Sequence, residues 1–141
     1  MSNAESNMFT KDCIRTALLS LMATEMFEQI TVTSIIKLAG VSRGGFYRKA
    51  ENTINKVRPE ELDSALRYEY HITQYWLYLY MREYTADSNA KEEYKQRMDS
   101  SLVTAIRYEK EHSVNWFYLM GEKFRYIDKN PKVSAEYYQK V

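Results

Sequence analysis

Apolar residues recur at helical spacing along most of this chain. Ile14, Leu18, Leu21, Met22 and Phe27 fall on one face of a helix predicted over residues 10–27, with Thr10 as N-cap and Asp12 in the first turn. Thr31 or Thr33 can cap a second helix, whose apolar face is Ile35, Ile36, Leu38 and Ala39 and whose natural stop is Gly40. Ser42 caps a third over Arg43–Lys49, with Phe46 as the anchor packing back on the first. Residues 50–58 are polar and weakly patterned, a short helix or a linker. Pro59-Glu60-Glu61 reads as the start of a long helix reaching Tyr84, with Leu62, Leu66, Tyr70, Leu77 and Met81 as its stripe. A loop over 85–89 leads to a helix over 90–111 with Tyr94, Met98, Leu102, Ala105 and Ile106 inward. After a break at His112-Ser113 come a shorter helix to Tyr126, a turn at 128–131 and a last helical piece from Ser134 to Lys140. The fold class is all-α.

Composition supports that reading. Only four Gly and two Pro interrupt 141 residues, and 45% apolar content allows a real core. The length suits one domain, or a small head on a helical body. No internal repeat and no low-complexity tract stand out. The single cysteine, Cys13, excludes an internal disulfide and any multi-cysteine zinc site, and on a mostly apolar helix it is expected to be buried. No signal peptide and no stretch approaching the ~20 apolar residues of a membrane span is visible, so the expected location is cytoplasmic. Ser2-Asn3-Ala4 looks like the remnant of an expression tag.

Charge is unevenly placed. Residues 1–58 carry eight Lys/Arg against five Asp/Glu, and residues 59–141 carry twelve against fourteen. Arg43, Arg48, Lys49, Lys56 and Arg58 follow Val41 with Glu51 as the one acid among them. Two short helices broken at Ala39-Gly40-Val41-Ser42, the second one basic, have the form of a helix-turn-helix that reads DNA. Arg43 or Arg48 could reach a guanine edge while the other meets phosphate. Tyr47, Ser42 and Thr33 can donate hydrogen bonds to phosphates. The adjacent Gly44 and Gly45, poor helix formers, would let the backbone come close to a groove or merely ease packing at the turn.

Tyrosine is the other distinctive feature. Twelve of thirteen lie after residue 67, joined by Trp76, Trp116 and Phe117. Rings with a polar tip suit ordinary core, a partly wet interface or a ligand pocket. The sharpest form of the last reading is an effector cavity lined by Tyr70, Tyr75, Trp76, Tyr80, Tyr108, Trp116 and Met120, taking a small apolar or aromatic molecule. Catalysis finds no constellation: His71 and His112 are far apart, no metal-ligand spacing and no phosphate-binding glycine loop occurs, and no cofactor or metal is expected.

The order Phe27, Ile30-Thr31-Val32, Ile35, then Ala39-Gly40-Val41-Ser42-Arg43-Gly44 closing on Phe46-Tyr47-Arg48, resembles the tetracycline-repressor (TetR) family of transcription regulators over residues 10–48. The resemblance implies an N-terminal three-helix DNA-binding head at 9–50 and a C-terminal helical bundle at 51–141 for dimerisation and effector binding. It makes Ser42–Lys49 the recognition helix, including Lys49, puts Thr33 near a phosphate and sets Tyr47 against the DNA backbone. The implied function is a homodimeric repressor on double-stranded operator DNA, released by an effector. The alternative is a protein-interaction module acting through the Tyr-rich helical body, the N-terminal motif only localising it.

Overall fold

A computed structural model describes residues 3–141, so Ser2 of the suspected tag remnant lies outside the described residues. Seven α-helices and no strand occur among them. The chain divides into two compact units, the first ending at Thr53 and the second spanning Ile54–Val141.

The first unit holds α1 (Asn3–Met22), a 3-10 turn (Phe27–Gln29), α2 (Val32–Ala39) and α3 (Arg43–Ile54, whose last residue opens the second unit). Thr31 caps α2: its hydroxyl accepts from the Ser34 amide at 3.1 Å, and the Ser34 hydroxyl in turn accepts from the Thr31 amide. Gly40 ends α2 in the left-handed region at φ +69°, donating its N–H to the Ile36 carbonyl. Ser42 starts α3 by accepting from the Gly45 amide at 3.0 Å. Packing is thinner than the pattern implied. α1 packs on α2, and Ala17 and Ile35 are buried, whereas Met22 and Phe27 are exposed. The helix stops at Met22, so Phe27 no longer shares its face. Cys13 is half-buried. In α3 the buried ring is Tyr47, not Phe46, an offset of one position or about 100° around the helix.

The second unit comprises a 3-10 turn (Pro59–Glu61), α4 (Ser64–Tyr84), α5 (Ser88–Tyr108), α6 (Val114–Tyr126) and α7 (Pro131–Tyr138). Pro59 begins the turn rather than α4. Asp63 is the N-cap, its carboxylate accepting from the Leu66 amide at 2.9 Å. Arg67 holds the turn down by donating to the Pro59 and Glu60 carbonyls. Asp87, Ser113 and Asn130 cap the next three helices. Short connections fold the chain into two hairpins, α4–α5 and α6–α7, with α6 also packed on α5. Tyr75, Tyr78, Met98, Leu102 and Leu119 form the fully buried core. On α4 the buried stripe runs Ile72, Tyr75, Tyr78 with Leu77 and Met81, while Leu66 is exposed.

Two features lock the second hairpin. At Gly121 an added Cβ would stand 2.6 Å from the Tyr138 ring, and the Ser134 hydroxyl donates to the Gly121 carbonyl at 2.8 Å. Beside them the buried Glu122 carboxylate accepts from Tyr75 at 2.9 Å and from Tyr138 at 2.5 Å. One acid thus ties α4, α6 and α7 together, with both oxygens satisfied by neutral donors.

Candidate functional site

In the first unit the residues expected to face DNA are largely engaged with one another. Arg43 donates to the Thr33 hydroxyl at 2.7 Å and to the Tyr47 hydroxyl at 3.4 Å. Tyr47 is only 6% exposed, so its ring is core. Ser42 is occupied as the cap of α3. An added Cβ at Gly45 would sit 3.0 Å from the Ser42 hydroxyl oxygen, which gives this glycine a local reason. Gly44 and Arg48 are exposed, and Lys49 is half-buried.

The second unit carries a cleft of about 480 Å³ along α4 and α5, lined by Asn55, His71, Gln74, Tyr78, Glu93, Gln96, Arg97, Ser100, Ser101 and Thr104. Its polar groups are held in place. Gln74 donates to the Tyr70 hydroxyl at 3.1 Å, accepts from Ser101 at 3.5 Å and faces the His71 Nδ1 at 3.3 Å. Burial holds the His71 imidazole below its ordinary pKa, and its ring stacks on Tyr108. Arg97 donates to Glu93 at 2.9 Å and to the Tyr78 hydroxyl at 3.3 Å, lying 5.6 Å above the Tyr78 ring centre. The long helices α4 and α5 position this row because residues three and four apart share a face. Sequence reading missed Gln74, Gln96, Arg97 and Ser100, since polar residues on a helix carry no local signal.

A second cleft of about 400 Å³ lies between α4, α5 and the end of α6, lined by Leu79, Arg82, Glu83, Lys91, Met98 and Tyr126. Neither cleft gathers the residues expected to hold an effector. Tyr75 is buried against Glu122 and Tyr108 stacks on His71. Tyr70 touches Gln74, and Trp76 packs edge-on to Tyr75. Tyr80 is exposed, Met120 is half-buried, and Trp116 belongs to a separate ring cluster with His112, Phe117 and Tyr137.

Burial, with the Glu122 charge beside it, raises the Tyr75 hydroxyl far above its usual range, and burial and the Glu122 hydrogen bond raise Tyr138. A tyrosine that ionises later in the folded state stabilises it in full below its unfolded pKa of about 10, and that contribution is lost as pH rises through the folded value. The thermal midpoint should therefore fall from about pH 10 upward. Tyr75→Phe/Tyr138→Phe should be less stable at about pH 8 but flatter above it. A gap between parent and variant that stays constant up to about pH 11 would remove these tyrosines from the alkaline transition.

No group of His, Cys, Asp and Glu among the described residues could hold a metal ion. No helix among them is long and apolar enough to cross a membrane. Compared with known families, residues 19–141 match the family described as the SusR N-terminal TPR domain. The chain belongs to that family. No curated protein and no solved structure matches.

TPR units are helix–turn–helix hairpins that stack side by side. Family membership overturns the resemblance to the tetracycline-repressor regulators: the match includes the helix-turn-helix segment itself. The operator DNA, the effector and the paired copy drawn from that resemblance fall with it. The physical reason is that a helix ended by left-handed Gly40 and followed by a Ser42-capped helix is the chemistry of any tight turn between helices. It specifies the turn and leaves the partner open.

The family also draws attention to one TPR-like motif in the second hairpin. The TPR pattern W-x2-L-G-x2-Y, then A-x3-F, has its counterpart in Phe117-x2-Met120-Gly121-x2-Phe124, then Ser134-x3-Tyr138. Gly121 and Ser134 stand where α6 and α7 come closest. The first hairpin has helices of 21 residues each, against 13 and 8 in the second, so no single sequence period relates them.

Proposed function

We propose that this chain is a non-enzymatic protein-interaction module whose docking face is the α4–α5 cleft. The observation that carries the reading is that cleft: fixed polar groups in an open furrow between the two longest helices, in a family of stacked hairpins that use extended surfaces for binding. Its amides and hydroxyls suit the backbone of an extended segment, and the one cation that lines it, Arg97, is already paired with Glu93. Such a module would work in the cytoplasm, where its lone cysteine needs no partner.

A photo-crosslinking residue placed in cells at Gln96 or Ser100, both exposed, should give discrete adducts with a partner protein. The same probe at exposed Arg15 of α1 serves as the comparison. Adducts no stronger at Gln96 and Ser100 than at Arg15 would reject the cleft as the docking face.

A further inference from the structure

The second cleft differs from the first in kind. Its floor is apolar: Leu79 from α4, the 2%-exposed Met98 from α5 and the ring of Tyr126 from α6. Its rim holds two cations, Arg82 from the last turn of α4 and Lys91 from the first turn of α5, against one acid, Glu83. The side chains of Arg82, Lys91 and Glu83 make no ion pair or hydrogen bond with any described residue. Arg125 lies 5.0 Å over the Tyr126 ring but does not line the cleft.

We propose that this cleft takes an acidic segment of a partner protein, one apolar side chain entering over Leu79 and Met98 while flanking carboxylates meet Arg82 and Lys91. The charge excess selects the sign of the partner, and the apolar floor between the cations selects an anchor residue rather than a bare anion. The two cations stand on either side of the α4–α5 turn, so a segment crossing that end of the hairpin meets both. This inference rests on the module reading only in taking the partner to be a protein. It uses a different surface from the polar cleft.

The probe is a fluorescein-labelled peptide with one leucine flanked on each side by two glutamates, titrated by anisotropy at low salt. Arg82→Gln/Lys91→Gln changes only exposed side chains and should weaken binding about tenfold. Raising the salt should weaken parental binding and leave the variant little changed. Replacing the peptide leucine by serine should also weaken binding, and does so without touching the protein. Arg97→Ala should bind like the parent. The inference is overturned if the peptide does not bind, if Arg82→Gln/Lys91→Gln binds as the parent does, or if the serine peptide binds equally well. Peptide binding lost in Arg97→Ala instead would move the acidic partner to the polar cleft and leave the module reading standing. Binding that depends on Arg82 and Lys91, with no adducts from Gln96 or Ser100, would do the opposite.

Discussion

Gly121→Ala should destabilise the chain by about 2 kcal/mol, although alanine is the better helix former by up to about 1 kcal/mol. The new methyl would lie 2.6 Å from Cε1 and 2.7 Å from Cδ1 of Tyr138. That ring cannot simply swing away, because its hydroxyl is held by Glu122 and the Ser134 hydroxyl pulls α7 onto the Gly121 carbonyl. Either the hairpin opens or the Glu122 bond breaks. Urea denaturation followed by tryptophan fluorescence reads the loss, since Trp116 sits on α6. Removing the obstacle should reverse the sign. In a Tyr138→Ala background, Gly121→Ala should be neutral or slightly stabilising, a coupling that a double-mutant cycle isolates. Equal costs in both backgrounds would mean that the close approach of α6 and α7 is not what excludes a side chain here.

Glu122→Leu should cost about 3 kcal/mol. The substitution removes the acceptor of two tyrosine hydroxyls, one of them on the fully buried Tyr75. Each hydroxyl left without a partner keeps its desolvation cost and loses a bond to a charged group. Glu122→Gln should cost less, about 1 kcal/mol, because its carbonyl oxygen still accepts from one tyrosine. Adding Tyr75→Phe and Tyr138→Phe to Glu122→Leu should restore part of the loss, since no polar atom is then stranded. The comparison is made by equilibrium unfolding in urea at about neutral pH. If Glu122→Leu is as stable as the parent, the three-helix tie is not a stabilising element.

The candidate site was legible in the sequence only in part, and for a physical reason. Ser42 and Gly40 announce a turn, and the turn is there. The DNA reading added to it came from the basic residues nearby, and charge on a short helix does not distinguish a groove-facing arginine from one spent on Thr33 and Tyr47. The tyrosines were visible as a group, but helical spacing could not separate Tyr75, sealed against Glu122, from exposed Tyr80. Gly121 was the overlooked signal. A glycine inside a helical pattern usually has a packing reason, and here it is the ring of Tyr138.

By itself the sequence determined most of the helices, the caps at Thr31 and Ser42 and the all-α class, because these depend on residues within a turn or two of each other. It located Thr31, Gly40 and Ser42 at helix ends for the same reason. The tertiary structure decided which faces meet. It brought Tyr75 and Tyr138 to one carboxylate and set Gln74 beside Ser101. It also left the Arg82 and Lys91 side chains without an ion-pair partner on the rim of an apolar cleft. Those relations join positions far apart in the chain, and no local propensity encodes them. They arise from how hairpins of unequal length pack side by side.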